Sequence, residues 1–359
     1  MTRSTQQLLK DRNRLLGPNV ATFYNDPVHF VRGEGVWLWD ADARKYLDCY
    51  NNVPHVGHCH PRVVEAISRQ AATLNTHTRY VHDLILDYGE RLTAKFGHGL
   101  DSMVMVCSGS EANDVALRMA QAVTGNTGLI GTDNTYHGNT TAVSQLNATK
   151  QPVGGYLDHV RQVPAPDTMP PPEGDLASQA EAFANGVDRA IAQLQDAGHG
   201  VSAMILCPYF ANEGFPALER GFLDRAVAAV RRAGGVIIAD EVQPGFGRIG
   251  SHWWGHERLG IDPDIVTLGK PMGNGHPVAA VVTRPEILAC FQESFRYFNT
   301  FGGNPVSAAA AMAVLQVIED EALVENAATV GAFTLDLLRE VQTRDEVIAD
   351  VRGAGLFLG

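Results

Sequence analysis

The stretch VIIADEVQPGFGR, residues 236–248, decides how the rest of the chain is interpreted. Its first four residues are β-branched or small and apolar, which is typical of a buried strand. The run leads directly into two carboxylates, Asp240 and Glu241, and then into a turn that contains two glycines. An unpaired charge is strongly disfavoured in an apolar interior, so the sequence predicts a compensating partner at the end of this strand.

Similar short apolar runs alternate with longer helical patterns along most of the chain. The runs are MVMVC, GLIGT, AMILC, IVTLG and AAVVT. This alternation predicts an α/β fold with a largely parallel sheet covered by helices on both faces. Ligands of such sheets bind at the carboxyl ends of the strands. The loops expected at that edge follow Cys107, Thr132, Cys207, Asp240 and Gly269.

Composition argues against several classes of partner. The chain has 359 residues, a formal net charge of -12 and a pI near 5.5, so we expect no nucleic-acid or anionic-membrane partner, since both attract basic surfaces. No apolar run approaches the roughly 18–20 residues of a membrane helix. The five cysteines show no CxxC pairing, which favours reduced thiols and a cytoplasmic location.

The stretch VCSGSEANDVALRMA predicts an anion site. Ser108 and Glu111 form an S-x-x-E capping box, and Gly109 allows close approach of a ligand to the backbone. A helix N-terminus of this kind binds phosphate readily, and the Ser110 hydroxyl adds a donor. A plain capped helix is the alternative interpretation.

The stretch LGKPMGNGHP places Lys270 directly after an apolar strand. A desolvated lysine has a lowered pKa and forms Schiff bases with carbonyls, whereas an isolated loop lysine is usually unremarkable. The expected position at the same edge as the anion site favours the first interpretation. A phosphate cradle, a Schiff-base lysine and a carboxylate are the three groups that pyridoxal phosphate requires.

The two carboxylates of the opening stretch receive different predictions. Asp240 is expected opposite the pyridinium nitrogen of the cofactor, where an anion keeps the ring protonated. Glu241 is expected to be structural, because successive strand residues face opposite ways. The sequence does not identify its partner.

Five motifs in order give the sequence its family resemblance. SGSEAND, YHGNT, ADEVQPGFGR, LGKPMGNGHPVAAV and FNTFGGNPVS together resemble the class III aminotransferases, pyridoxal-phosphate enzymes of fold type I, from about Gly33 to the last residue. The resemblance implies that Gly109 and Ser110 hold the cofactor phosphate. It also implies that Tyr136 and Val242 lie on opposite faces of the ring and that Gln243 lies near its phenolic oxygen.

The resemblance also implies the catalytic residues and the assembly. Lys270 and Asp240 would be catalytic, with Lys270 as the Schiff-base lysine. Thr300 would reach the phosphate of the neighbouring subunit in a homodimer.

The resemblance further implies a large sheet domain and a smaller α+β domain. We assign residues 1–55 to the small domain, 56–300 to the large cofactor-binding domain, and 301–359 to a connecting helix and the incomplete C-terminal small domain. Because VIADVRGAGLFLG predicts a strand ending at the last residue, we expect a truncated chain. The proline-rich residues 164–179 are predicted to be a surface excursion.

Two reactions are expected from the family. NNVPHVGHCHP, LNTHTRYVHD and YFNTFGGNPVS resemble the branch of phospho-lyases that act on phosphoethanolamine or phosphohydroxylysine. Many transaminases of the family have Glu-Pro where Cys207 and Pro208 stand. We expect amino transfer from a primary amine or amino acid to a 2-oxo acid first, and phosphate elimination as the alternative. A purely binding form is the third hypothesis.

Four residues in HVGHCHP resemble a metal cluster, but the spacing supports a packed loop and no metal site. They are His55, His58, Cys59 and His60. GNGHP lacks the complete dinucleotide motif G-x-G-x-x-G.

The sequence allows two roles for each of three further polar residues. Arg79 and Tyr80 either bind a substrate anion or form an exposed pair at a helix start. For His137 a loop-positioning role is favoured over catalysis.

The segment GEGVWLWDADARKYLDCYN predicts two strands around a turn at residues 40–43. Val36, Leu38, Tyr46 and Leu47 are the predicted buried positions.

Overall fold

The structure, a computed structural model, describes residues 3–147, 150–166 and 175–359. The strands are β1 (Phe30–Glu34), β2 (Trp37–Asp40), β3 (Lys45–Leu47), β4 (Ser102–Val106), β5 (Leu129–Thr132), β6 (Val160–Val163), β7 (Ala203–Leu206), β8 (Val236–Asp240), β9 (Ile265–Leu268), β10 (Ala279–Thr283), β11 (Gly353–Ala354) and β12 (Phe357–Leu358). The helices are α1 (Thr5–Leu16), α2 (Pro61–Thr73), α3 (Asp83–Thr93), α4 (Gly109–Thr124), α5 (Thr141–Ser144), α6 (Leu176–Asp196), α7 (Asp224–Arg232), α8 (Gly255–Leu259), α9 (Pro285–Ser294), α10 (Pro305–Asp320) and α11 (Leu323–Gln342). Much of the predicted proline-rich excursion, residues 167–174, lies outside the described residues.

The central sheet has the strand order β4-β10-β9-β8-β7-β5-β6. Strand β10 runs antiparallel to both of its neighbours, and the other pairs are parallel. The predicted, largely parallel sheet is confirmed. Strand β6 was not predicted, because the polar residues Arg161 and Gln162 interrupt its apolar pattern.

Alternate residues of the central strands pack against different helices. Ile238, Ile265 and Val281 belong to a buried cluster with residues of α4 and α9. Ala239 and Val266, the next residues along β8 and β9, join a second cluster with residues of α2, α3 and α10. Since helices cover both faces, the carboxyl edge of the sheet is where a site can open.

The first three strands form a small antiparallel sheet, with the predicted turn between β2 and β3. Leu38 is buried as predicted. The predicted burial of Val36 and Leu47 is wrong, because their exposed fractions are 55% and 56%. No helix of the described residues packs extensively against this sheet, so alternation within it does not guarantee burial.

The C-terminal segment forms a two-stranded hairpin, β11 and β12, and not the single predicted strand. Gly353 and Gly355 have φ values of 143° and 55°, which glycine adopts without strain, and the chain reverses there. Phe357 stacks on Tyr209 with ring centroids 4.9 Å apart. The division into domains stays a prediction. Within the described residues, no helix has the length and apolar character to span a membrane.

Candidate active site

A cavity of about 190 Å³ opens at the carboxyl edge of the central sheet. Its lining residues are Gly109, Ser110, Tyr136, His137, Gly138, Cys207, Asn212, Asp240, Val242, Gln243 and Lys270. Every site residue predicted from the sequence lies in this wall except Thr300. The convergence follows from topology, because the lining loops follow parallel strands whose carboxyl ends meet at one edge.

The turn between β4 and α4 forms one end of the cavity. The Ser108 hydroxyl accepts a hydrogen bond from the Glu111 N–H at 3.2 Å, and the Glu111 carboxylate accepts one from the Cys107 N–H at 2.8 Å. A Cβ atom added to Gly109 would lie 2.9 Å from a methyl group of Val242. Gly109 therefore packs directly against Val242, and Gly109 and Ser110 at the start of α4 line the cavity, where a helix N-terminus favours an anion.

The loop after β5 approaches the same turn. The Asn139 N–H donates to the Ser110 hydroxyl at 3.1 Å, and the Tyr136 hydroxyl donates to the Asn139 side chain at 3.0 Å. Gly138 has a φ of 140°, and a Cβ atom there would lie 2.6 Å from Ser110. Glycine is required at this position, and it lets the loop carrying Tyr136 close over Ser110.

Asp240, at the end of β8, is held by three donors. Its Oδ2 accepts hydrogen bonds from Asn113 Nδ2 at 2.9 Å and His137 Nδ1 at 2.6 Å, and its Oδ1 accepts from the Val242 N–H at 3.0 Å. An ionised carboxylate has about four acceptor positions. One position remains for a donor in the cavity.

His137 has a role that neither initial interpretation anticipated. The side chain is fully enclosed, and its Nε2 lies 3.1 Å from the Thr135 hydroxyl. Because the ionised Asp240 only accepts, Nδ1 of His137 carries the proton of their shared hydrogen bond. His137 therefore orients the Asp240 carboxylate.

Glu241 faces away from the cavity and finds its partners in α8. Its carboxylate accepts from the backbone N–H groups of Gly255 and His256 at 2.9 and 2.8 Å. It also contacts Nδ1 of His256 at 2.9 Å. These contacts are the compensating partners that the sequence left unidentified.

The residues after Asp240 shape the cavity wall. Val242 packs against Gly109 and Gly269, where added Cβ atoms would lie 2.9 and 3.1 Å from its methyl groups. The Gln243 side-chain oxygen accepts a hydrogen bond from Asn52 at 3.1 Å. The segment before α2 therefore contacts the cavity wall.

Lys270 follows β9 and lines the cavity. It is half-buried and has no hydrogen bond or ion pair with another described residue. A lysine in a cavity without an internal partner is available for a ligand.

The β7 side of the cavity carries a thiol and a nearby carboxyl group. Burial raises the pKa of Cys207 well above its usual range, and Asp240 and Glu213 raise it further, so the thiol is neutral. Glu213 accepts a hydrogen bond from Thr132 at 2.6 Å, and burial raises the pKa of its carboxyl group. The Cys207 side chain therefore contributes no charge to the cavity wall.

Thr300 is exposed and does not line the cavity of its own chain. The Asn299 side chain accepts from the Phe301 and Gly302 N–H groups and donates to Glu111. The loop is thus tied to the β4–α4 turn. The role of Thr300 in a neighbouring site stays a prediction.

The histidine-rich loop holds its side chains in separate contacts. His55 contacts the Phe246 carbonyl, His58 contacts Asp48 and His60 contacts Glu321. The described residues contain no cluster suited to a metal ion.

Arg79 lies outside the cavity wall, with its guanidinium 4.0 Å from the centre of the Phe298 ring. Neither Arg79 nor Tyr80 is buried. The five cysteines are free thiols.

Sequence reasoning missed Asn113, Asn52 and Asn212 at the site. Asn113 is 1% exposed and donates to Asp240 and the His137 carbonyl while accepting from Thr267. The only sign of Asn113 in the sequence is that a polar residue stands on the inner face of a predicted helix.

The residues present fit pyridoxal phosphate. Asp240 keeps one acceptor position toward the cavity, Lys270 has no partner in the described chain, and Gly109 and Ser110 at the α4 N-terminus line the cavity. These groups match the ring nitrogen, the aldehyde and the phosphate of that cofactor.

Comparison with known proteins agrees with this fit. Residues 21–359 match the family model for aminotransferase class-III. The chain is 42% identical over 368 residues to "Alanine–glyoxylate aminotransferase 2-like" of Drosophila melanogaster, covering 99% of this chain and 74% of that protein. It is 38% identical over 373 residues to "Ethanolamine-phosphate phospho-lyase homolog 1" of Caenorhabditis elegans, covering 99% and 80%.

Solved structures show the same fold. A phospholyase from Arthrobacter in complex with phosphoethanolamine superposes with a TM-score of 0.93 at 44% identity, covering 97% of this chain and 82% of that one. An ornithine aminotransferase from Toxoplasma gondii gives a TM-score of 0.81 at 25% identity, covering 99% and 81%. The chain belongs to the class III aminotransferase family, whose members are pyridoxal-phosphate enzymes of fold type I.

Proposed function

We propose that the protein is a pyridoxal-phosphate-dependent lyase that releases phosphate and ammonia from an O-phosphorylated amino alcohol such as phosphoethanolamine. The observation that carries the proposal is the likeness to the phospholyase in complex with phosphoethanolamine over 97% of this chain. The uncharged Cys207 in the cavity wall adds support, because the family resemblance places a glutamate there in many transaminases. The lyase therefore takes precedence over the amino transfer expected first from the sequence.

The chain supplies the groups that bind and orient the cofactor. When bound, pyridoxal phosphate supplies an electron sink for negative charge at the carbon bearing the amine. The N–H groups of Gly109 and Ser110 would hold the phosphate at the α4 N-terminus. Asp240, oriented by Asn113 and His137, would lie opposite the ring nitrogen, where a carboxylate favours the protonated form of the ring.

The remaining wall residues hold the ring in place. Tyr136 and Val242 would contact its two faces, and Gln243, fixed by Asn52, would lie near the phenolic oxygen. We also infer a homodimer in which Thr300 reaches the phosphate of the neighbouring site.

Lys270 carries the proton chemistry. Its Nζ would hold the cofactor at the aldehyde, and once the substrate amine takes that place the free amine would be available as a base. Nζ then removes the proton from the carbon bearing the amine, and phosphate leaves from the adjacent carbon. Water is consumed as the products, an aldehyde and ammonia, are released.

Amino transfer to a 2-oxo acid is the second candidate. The 42% identity to a protein named as an alanine–glyoxylate aminotransferase 2-like enzyme favours it. Lys270 would perform the same proton removal, and the reaction would require a 2-oxo acid to accept the amino group.

Phosphate release separates the two reactions. The holoenzyme is incubated with phosphoethanolamine in the absence of any 2-oxo acid, and phosphate and aldehyde are measured. The lyase releases both in equal amounts, and Lys270→Ala releases neither. Strict dependence on a 2-oxo acid would instead establish amino transfer, and no turnover with either assay would support a binding protein.

A further inference from the structure

Thr267 is a buried threonine of β9 that does not line the cavity. It pairs with Asp240 of β8 in the sheet and is 0% exposed. Its hydroxyl donates to Oδ1 of Asn113 in α4 at 2.7 Å, and Asn113 is itself buried. A hydrogen bond between two buried polar groups is costly to break, because neither group can turn to water instead.

The Asn113 side chain pairs all of its groups in one orientation. Its Nδ2 donates to the His137 carbonyl at 2.7 Å and to Oδ2 of Asp240 at 2.9 Å, which uses both protons of the NH2 group. The reversed amide would place its oxygen against a carbonyl and a carboxylate, and both of these only accept. The Thr267 hydroxyl binds the amide oxygen at the other end, and it therefore completes the orientation that directs the NH2 group at Asp240.

The donors to Asp240 determine which of its oxygens remains available. Oδ2 accepts from Asn113 and, at 2.6 Å, from Nδ1 of His137. Among the described residues, Oδ1 accepts from the Val242 N–H alone, at 3.0 Å. Each oxygen of an ionised carboxylate has about two acceptor positions, so Oδ2 is filled and the open position belongs to Oδ1. Because Asp240 lines the cavity, a bound ligand can supply the missing donor.

We propose that Thr267 is a positioning residue for the cofactor. Its hydroxyl fixes the Asn113 amide, and the amide keeps Oδ2 of Asp240 occupied so that Oδ1 meets the ring nitrogen of pyridoxal phosphate. Hydrogen bonds to a carboxylate favour its charged form, and that charge favours the protonated ring. The inference rests on the proposed placement of the ring nitrogen at Asp240, and it applies to either reaction. Thr267 acts through Asn113 and does not touch the cofactor.

Removal of the Thr267 hydroxyl tests the proposal without turnover. Thr267→Val nearly keeps the shape of the side chain, but it leaves the amide oxygen of Asn113 without this donor and weakens the hold of the amide on Asp240. Thr267→Ser keeps the hydroxyl. The matched control is Thr283→Val in β10, where the buried threonine hydroxyl donates to the Asp264 carbonyl at 2.9 Å. That hydrogen bond does not involve Asp240.

The ¹⁵N NMR resonance of the cofactor's ring nitrogen is the direct readout. Each variant is reconstituted with ¹⁵N-labelled pyridoxal phosphate, and the resonance is followed as the pH is changed. We expect the ring nitrogen in Thr267→Val to lose its proton at lower pH than in wild type, whereas Thr267→Ser and Thr283→Val should titrate as wild type does. An unchanged titration in Thr267→Val, or an equal shift in Thr283→Val, would overturn the proposal.

Cofactor affinity is the second measurement. The apoprotein is titrated with pyridoxal phosphate, and we expect the Kd of Thr267→Val to rise by about 3- to 10-fold, the effect of losing one hydrogen bond between neutral groups. Thr267→Ser should recover the affinity. If Thr267→Val does not fold, Thr267→Ala removes the same hydroxyl and carries the same expectation. A Kd that stays at the wild-type value would contradict the proposal.

Asp240→Asn separates a failure of this inference from a failure of the ring placement. If the ring nitrogen in Asp240→Asn titrates as in wild type, the proposed placement is wrong and so is the role of Thr267. A shift in Asp240→Asn without one in Thr267→Val retains the placement and overturns the role of Thr267 alone. Neither measurement involves turnover, so a wild type that releases no phosphate would overturn the lyase and retain this inference.

Discussion

Asp240 and Glu241 are consecutive, buried carboxylates that the fold treats differently. Each accepts three hydrogen bonds, Asp240 from Asn113, His137 and Val242, and Glu241 from Gly255 and His256. Glu241 is 0% exposed and enclosed by α8, whereas Asp240 also lines the cavity. The comparison teaches that the number of donors does not distinguish a structural charge from a functional one. The distinction lies in whether an acceptor position opens onto a cavity.

The cavity-facing carboxylate should affect turnover most strongly. Asp240→Asn keeps the size of the side chain but removes the charge that we propose lies opposite the ring nitrogen. We expect turnover to fall by about 100- to 1000-fold, the range for losing one preorganised electrostatic contact, with cofactor still bound. Steady-state rates at saturating cofactor measure this loss. Near wild-type turnover in this variant would show that the Asp240 carboxylate has no functional role.

The enclosed carboxylate should affect stability instead. Glu241→Gln places an amide against the N–H groups of Gly255 and His256, so we expect about 3 kcal/mol loss in the free energy of unfolding, as for a broken buried pair. Chemical denaturation measures it. Turnover per folded molecule should stay within about twofold of wild type. A large catalytic loss at full stability would contradict the structural role.

The buried side chain of His55 should make the protein acid-sensitive. Burial, together with the adjacent Arg248, lowers the pKa of His55 to about 3 in the folded protein, against 6.5 for the free side chain. The unfolded state therefore binds the proton first, and stability is lost as pH falls below 6.5. At pH 5 we expect this group to cost about 2 kcal/mol. Denaturation curves at pH 7 and 5 measure the cost, which should be smaller in His55→Gln.

A smaller effect of opposite sign is expected from Glu213. Burial raises the pKa of its carboxyl group, so its contribution to stability is lost as pH rises above the usual value of 4.5. Glu213→Gln keeps an acceptor for Thr132 and removes the titration. Its stability relative to wild type should increase between pH 4.5 and 7. A constant difference across this range would show that burial does not raise the pKa of Glu213.

The sequence was sufficient for the features that depend on local pattern and sheet direction. Ser110, Asp240 and Lys270 were predicted to converge because each follows a strand of one parallel sheet, and all three line the cavity. The assignments of Tyr136, Val242 and Gln243 came from the family resemblance alone.

The hydrogen-bond partners of Asp240 and Glu241 could be identified only from the structure. Asn113 and His137 lie 127 and 103 residues from Asp240 in sequence, and their contact depends on how α4 and the β5 loop pack. The partner of Glu241 is a short helix whose first N–H groups carry no distinctive sequence pattern. Val36 and Leu47 were predicted buried because alternation does not reveal which face a sheet leaves uncovered.

The central claim, that the cavity between Asp240 and Lys270 holds pyridoxal phosphate, is tested most directly by reductive trapping. The holoenzyme is treated with borohydride, digested and analysed by mass spectrometry for the phosphopyridoxyl group. The account predicts a stoichiometric label on Lys270, with none in Lys270→Ala under the same conditions. A label on another lysine, or an unlabelled Lys270 in protein that retains the cofactor, would contradict it.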